Sequence, residues 1–274
     1  MPLRFSKMHG AGNDFVIVDR RFATTPLPTA LVTRMADRQR GVGFDQLITI
    51  EPPRSPDAMA SYAIFNADGS RAGQCGNGAR CVAAWLLRQV PVQHEPFILD
   101  SPAGRITAQR DAAGIAIDMG VPDFAPAAIG LDRAEADCYR FNGEDRWIEA
   151  GAVSLGNPHV VVEVADVARA EVARIGRQLQ RHPDFRDGCN VGFAQVYDRT
   201  RIGLRVYERG VGETLACGSG ACAAFVVLAR RGKVGDRVAV QLPGGTLQLY
   251  WQGPGHPVHM AGPAEFVFEG ELLV

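Results

Sequence analysis

The residues with the clearest chemical potential are two cysteines that recur in one setting. Cys75 opens the run Cys-Gly-Asn-Gly-Ala and Cys217 opens Cys-Gly-Ser-Gly-Ala. The segments after them, VAAWLL and CAAFVVLA, are apolar all round, as in a helix buried at the centre of a domain. Asn77 and Ser219 are residue types that cap helix N-termini, so each thiol is expected just ahead of a helix start. Unpaired amides and the positive end of the helix dipole favour an anion there, which lowers a cysteine pKa from about 8.5 to about 3.5–7.5. The amides of Gly76, Asn77, Gly218 and Ser219 can also receive a substrate carboxylate, with the glycines leaving room for close approach. A thiolate facing a protonated thiol is a general base facing a general acid. Such a pair inverts a carbon centre: one sulfur removes a proton from one face while the other delivers a proton to the opposite face.

The elements that must position these thiols are themselves repeated. Residues 65–86, FNADGSRAGQCGNGARCVAAWL, lie over residues 207–228, YERGVGETLACGSGACAAFVVL, with Cys75 on Cys217 at a spacing of 142. Upstream, Gly12-Asn13 falls on Gly156-Asn157 and Gln46 on Asn190, now at a spacing of 144. A collinear set of matches drifting so little implies duplication of a unit of roughly 140 residues. Period-2 or continuous β-branched runs predict strands at 15–19, 47–50, 62–65, 115–119, 160–164, 202–207, 238–242, 247–251 and 266–268. Helices are predicted at 29–38, 77–89, 167–180 and 219–231. Many strands, few helices and no regular βαβ alternation give an α+β class: two pseudo-symmetric duplicated domains, each a mainly antiparallel sheet wrapped around a buried central helix. The expected boundaries are 1–119, with a returning segment 263–274, for the first half and 120–262 for the second. The stretch 120–130, GVPDFAPAAIG, reads as the linker.

Composition narrows the function. The chain has 274 residues, 46% hydrophobic and 22% charged, with a formal net charge of −1, so bulk charge draws it to neither nucleic acid nor an anionic membrane. Apolar stretches fall far short of the roughly 18 residues that span a bilayer, and the N-terminal MPLRFSKMHGAGNDF lacks the apolar run of a secretory signal. A cytoplasmic protein with reduced thiols is expected. Only two lysines occur, Lys7 and Lys233, so Schiff-base chemistry with pyridoxal phosphate has little to work with.

The motifs KMHGAGNDFVIVD, GFDQL, FNADGS, QCGNGARC, GNPH, RVYERGVGET and ACGSGACAA together resemble the diaminopimelate epimerase family. The resemblance runs from residue 5 to the C-terminal GHPVHMAGPAEFVFEG, nearly the whole chain. It implies cofactor-independent and metal-independent interconversion of LL- and meso-diaminopimelate, in lysine and peptidoglycan precursor synthesis, by a homodimer. It implies Cys75 and Cys217 as the two acid/base residues, with His159 and Glu208 tuning their protonation. Substrate contacts carry over onto Asn13, Gln46, Asn66, Gly76, Asn77, Asn157, Asn190, Glu208, Arg209, Gly218 and Ser219. In chemical terms, Glu208 suits an α-ammonium, while Arg209 with Asn66, Asn157 and Asn190 suits bidentate capture of a distal carboxylate. Substrate is expected in the cleft between the halves.

The same residues admit other readings. Cys81, Cys138, Cys189 and Cys222 are expected to be small buried hydrophobes. The spacings Cys75-x5-Cys81 and Cys217-x4-Cys222 fit structural zinc poorly, since such knuckles place about two to four residues between ligands. GNGARC lacks the third glycine of a dinucleotide loop and the Lys-Ser/Thr of a P-loop. A two-thiol proline or hydroxyproline racemase is the nearest rival enzyme, and it would leave the group around Arg209 with nothing to hold. Glu208 and Arg209 are neighbours on a strand and would point to opposite faces unless the strand ends there, as Gly210 implies.

Overall fold

The computed structural model describes residues 2–23, 25–89 and 95–273. Two compact units emerge, Met1–Ile117 with Ala261–Val274, and Asp118–Met260. In chain order the first contains β1 (Leu3–Gly10), β2 (Asn13–Asp19), α1 (Thr29–Ala36), β3 (Gln46–Glu51), β4 (Ala58–Asn66), β5 (Arg71–Ala72), α2 (Gly76–Gln89), β6 (Phe97–Ser101), β7 (Gly104–Asp111) and β8 (Gly114–Asp118). The second contains α3 (Pro126–Ile129), β9 (Tyr139–Asn142), β10 (Trp147–Ser154), β11 (Pro158–Glu163), α4 (Val172–Gln180), β12 (Asn190–Asp198), β13 (Arg201–Glu208), β14 (Gly212–Thr214), α5 (Gly218–Arg230), β15 (Arg237–Leu242), β16 (Gly245–Trp251) and β17 (Val258–Gly262). The chain ends in β18 (Glu265–Leu272), which pairs with β1.

Pairing repeats strand for strand. In the first unit β1–β2, β3–β4, β4–β5 and β6–β7 are antiparallel, whereas β2–β3 and β4–β6 are parallel. In the second, β10–β11, β12–β13, β13–β14 and β15–β16 are antiparallel, whereas β11–β12 and β13–β15 are parallel. This is the duplicated, mainly antiparallel α+β architecture. The equivalent turns before β2 and β11 both use a left-handed glycine, Gly12 at φ 82° and Gly156 at φ 84°, a conformation that costs glycine little.

Each sheet is covered on both faces, which is why several strands read as continuous apolar runs. In β2, Val16 and Val18 join Val32 and Met35 of α1, with Phe44 and Leu47, in one buried cluster. The alternate residues face α2: a Cβ placed on Gly78 would lie 2.8 Å from Ile48 Cδ1 and 3.3 Å from Phe15 Cε1. The second unit does the same. Val160, Val162, Val191 and Phe193 pack with Val172, Ile175 and Leu179 of α4, and a Cβ on Gly151 of β10 would meet Val227 of α5 at 2.4 Å. The central helices α2 and α5 thus have almost every residue through Leu86 and Leu228 buried.

Local expectations shift in informative ways. The helix expected at 167–180 begins only at Val172. Ahead of it, Arg205 Nη1 donates to the carbonyls of Val167, Ala168 and Ala170 at 3.1, 3.1 and 3.3 Å, so these groups turn to a guanidinium instead of along a helix axis. The helix expected at 29–38 stops at Ala36 because Asp37 is extended and its Oδ1 takes the amides of Gln39 and Arg40. The stretch 120–130 is not a loose linker. Asp123 bridges to Ser154 through two backbone bonds, α3 forms within it, and Ile129 is buried in the second core. No helix among the described residues is long and apolar enough to cross a membrane.

Candidate active site

Strand alternation and strand ends explain how the polar set is assembled. In the first unit, Asn13 and Gln46 open β2 and β3 and Asn66 closes β4, all with the parity that faces α2. In the second, Asn190 opens β12, His159 is the second residue of β11 and Glu208 closes β13, with the parity that faces α5. Each group therefore gathers at the end of its sheet where the central helix begins.

The thiols are the helix caps themselves. Cys217, extended at φ −124° and ψ 110°, accepts the amide of Gly220 on its sulfur at 3.4 Å while its carbonyl takes the amide of Ala221 at 2.9 Å. Cys75 makes the same two bonds, to Gly78 at 3.4 Å and Ala79 at 2.9 Å. Asn77 and Ser219 therefore lie in the first turn and are not the caps. The third-position glycines also have a different use from that expected: the space a Cβ would need at Gly220 is filled by Val206 at 3.1 Å and the Cys217 sulfur at 3.2 Å, so close packing of helix on sheet demands them. Nor is α2 apolar all round, since Arg80 is fully buried in it.

Cys75, which is half-buried, bonds to amides. Its S–H donates to Asn13 Oδ1 at 3.5 Å. Asn13 Nδ2 in turn donates to Asp45 at 2.9 Å, which fixes the flip of the amide. Asp45 is held by Arg38, and the adjacent Asp14 by Arg38 and Lys7. Burial works against ionisation of Asp14, but the hydrogen bonds from Arg38 and Lys7 win and hold its carboxyl well below the usual range. Gln46 Nε2 donates to Asn66 Oδ1 at 3.0 Å, and Asn66 Nδ2 to Ser70 Oγ at 3.0 Å.

Around Cys217, 7% exposed, the decisive neighbour is an acid. Burial pushes this thiol well above its ordinary range, and the Glu208 carboxylate, which accepts the thiol proton, pushes it further. The bonds from Ser219 and the Gly220 amide act the other way and lose. The expectation of a thiolate stabilised by the helix start is thus overturned at Cys217, because desolvation and a like charge outweigh one amide. Glu208 is anchored by Thr214 Oγ1 at 2.5 Å.

His159 is 1% exposed, and its Nε2 meets Asn157 Oδ1 at 3.0 Å. Burial, assisted by the positive charge of Arg209, lowers its pKa to about 3, so the ring is neutral. Asn190 sits opposite His159 on the parallel strand, donates to Pro158 O at 3.1 Å and accepts the Arg209 amide at 3.0 Å. β13 does end at Glu208, and Arg209 turns outward to bond Asp187 O at 3.1 Å. The structure thus brings Asn157, His159, Asn190 and Arg209 into one group, and Glu208, Cys217 and Ser219 into an adjoining one. Cys81 and Cys189 are buried and their thiols are pushed up to about 12 by burial, whereas Cys138 is exposed, contrary to expectation. Sequence reasoning misses Thr214, which anchors Glu208 across the β13–β14 turn, Asp45, which holds Asn13 from a separate loop, and Arg80, which is buried against Asn77 and Pro263. Of the two lysines, Lys7 is buried and bonded to Asp14 and Gly43 O, and Lys233 pairs with Glu163.

A duplicated α+β scaffold with a thiol at each central helix places the chain in a fold class shared by racemases and isomerases. Solved structures agree: a PhzF-family phenazine biosynthesis protein from Bacillus anthracis aligns over 100% of both chains with a TM-score of 0.70 at 18% identity. A hydroxyproline epimerase from Agrobacterium vitis aligns over 99% of this chain and 92% of its own, with a TM-score of 0.68 at 17% identity. Sequence resolves the class further. The chain belongs to the diaminopimelate epimerase family, whose model matches residues 5–125 and 151–267. It is 55% identical over 273 residues to the diaminopimelate epimerase of Xanthomonas euvesicatoria pv. vesicatoria, covering 98% of this chain and 96% of that one. It is 53% identical over 272 residues to that of Xylella fastidiosa, with the same coverage. The chain is accordingly an isomerase of the amino-acid epimerase type.

Proposed function

We propose that the chain interconverts LL- and meso-2,6-diaminopimelate without pyridoxal phosphate or metal, with Cys75 and Cys217 acting as base and acid on opposite faces of one α-carbon. The observation that carries this reading is the equivalence of the two sulfurs: each caps the central helix of its own copy of a duplicated unit, at the end where the polar residues collect. The first-turn amides of Gly76, Asn77, Gly218 and Ser219 hold the reacting carboxylate and stabilise the charge that grows on its oxygens as the α-proton leaves. Arg209, with Asn66, Asn157 and Asn190, holds the distal carboxylate, and Gln46 braces Asn66.

Protonation assigns the starting roles. Cys217, buried beside Glu208, rests as the thiol and is the proton donor. Cys75, half-buried at the equivalent position of the first unit, is the base once its S–H has passed on its proton. When Cys75 takes the α-proton, the electron pair moves toward the carboxylate and Cys217 delivers its proton to the other face. In the reverse direction Glu208 draws the proton from Cys217, and neutral His159 holds the Asn157 amide in place. The same reading makes the enzyme a cytoplasmic homodimer that feeds lysine and peptidoglycan precursor synthesis.

Purified protein incubated with LL-diaminopimelate in D₂O, with no cofactor added, is expected to place deuterium at one α-carbon of the meso product. Absence of incorporation, or incorporation into proline or hydroxyproline instead, overturns the assignment.

A further inference from the structure

One buried charge on the Cys75 side plays no part in the mechanism above. Arg80 is 0% exposed, five residues into the chain from Cys75 and one turn along α2. Burial of a guanidinium is costly, and here two of its nitrogens reach acceptors that lie far apart in sequence. Nη2 donates to Asn77 Oδ1 at 2.8 Å and Nε to Pro263 O at 3.4 Å. Gly10, at the end of β1, closes the third side: a Cβ there would lie 3.3 Å from each of Arg80 Nη2, Asn77 O and Pro263 O. The turn that Gly10 begins carries Asn13, the acceptor of the Cys75 S–H. The first turn of α2 and the acceptor of the thiol proton are therefore both referenced to one guanidinium.

The second unit lacks the device. Cys222 stands where the repeat places Arg80, and it too is fully buried. The helix starts are otherwise built alike, so a permanent positive charge, which never deprotonates at working pH, is buried within the central helix of the first unit and not at the matching position of the second.

We propose that Arg80 is a positioning residue for Cys75: it locks Asn77, the β1–β2 turn and the Pro263 backbone into one piece and thereby sets how tightly Cys75 holds its proton. The proposal rests on the assignment of Cys75 as a reacting thiol. The other titratable groups around that thiol are Cys81 on α2, Tyr62 on β4, Lys7 and His9 on β1 with Glu265 beside His9, Asp14 on β2, and Arg38 and Asp45 before β3. The charged residues of β7, which also packs on α2, are exposed. Of these groups, the cations Lys7 and Arg38 pair with Asp14 and Asp45, and Arg80 is the buried charge of α2. Cys81, one residue further on, registers it: burial raises that thiol, and Arg80 opposes the rise.

The test measures alkylation of Cys75 and Cys217 by iodoacetamide against pH, on full-length wild type, Arg80→Met and Arg80→Lys without substrate, each thiol being followed by peptide mass spectrometry. In Arg80→Met the Cys75 profile is expected to move up by about one pH unit, about tenfold slower alkylation at neutral pH, with Cys217 unchanged. Arg80→Lys keeps the charge but not the planar fork, and is expected to slow Cys75 about threefold. It decides the matter if Arg80→Met does not fold. Superimposable Cys75 profiles in wild type and variant, or equal shifts at both thiols, overturn the proposal. Because no substrate is present, failure of the epimerase reading leaves these rates unaffected and is told apart by the deuterium experiment.

Discussion

The two thiol settings use one backbone and opposite chemistry. Gln46 and Asn66 face each other on β3 and β4, and in the repeat these positions become Asn190 and Glu208 on β12 and β13. Phe15 on β2 becomes His159 on β11, both essentially fully buried. Arg80 becomes Cys222. An amide and a buried cation in one unit thus stand where the other has a carboxylate and a thiol, while caps, glycines and strand pairings are kept. A duplicated scaffold places two equivalent groups, but equivalent groups make a poor acid/base pair. Among the side chains that broke the symmetry, Glu208 raises the pKa of the Cys217 thiol, and shifts of that kind are how paired titratable groups divide the roles of acid and base.

Replacing either sulfur is the harshest attack on this comparison. Cys75→Ala and Cys217→Ala should each remove epimerisation while leaving the circular dichroism spectrum in place, with losses of at least about 10²- to 10⁴-fold, the contribution of a placed general acid or base. Full turnover by either variant contradicts a two-base mechanism. Exchange of the α-proton without inversion in the Ser variants would sharpen it, by showing which face each residue serves.

A milder change makes the second setting resemble the first. Glu208→Gln removes the carboxylate that raises Cys217, so this thiol should titrate at lower pH and be alkylated at least about tenfold faster at pH 8. Turnover should fall at the same time, because the proton has no partner to leave to. An unchanged alkylation profile would mean that burial alone raises the thiol.

The smallest expected effect is on stability. His159 is neutral in the fold, with a pKa lowered to about 3 by burial and by Arg209. The unfolded chain binds the proton more readily, so stability is lost as pH falls below the unfolded value of about 6.5, by at most about 1.4 kcal/mol per pH unit. His159→Phe copies Phe15 and should flatten the dependence of the denaturation midpoint on pH between about 6.5 and 4. An unaltered slope would place the acid sensitivity in other groups.

Much of this was legible in the sequence for a physical reason. Duplication, the two helix starts and the polar strand ends are matters of spacing, and spacing survives in one dimension. One strand that the sequence pattern does not mark, β1, has polar side chains among its inward positions. In β1, Ser6 and Lys7 are buried because Trp85 Nε1 donates to Ser6 at 3.1 Å and Lys7 reaches Gly43 O, so the alternation that marks a strand is absent. The late start of α4 was hidden likewise, since Arg205 lies a strand and more away from the carbonyls it draws off.

The sequence by itself determined that a sulfur stands at the start of each central helix, the repeated sheet that presents the pair and the family to which the chain belongs, because periodicity and motif order are local properties. Only the tertiary structure decided that Cys217 holds its proton and that Arg80 is buried against residues 10, 77 and 263. Proton affinity is a balance of desolvation and charge summed over neighbours that the chain supplies from distant segments, and no run of adjacent residues contains that sum.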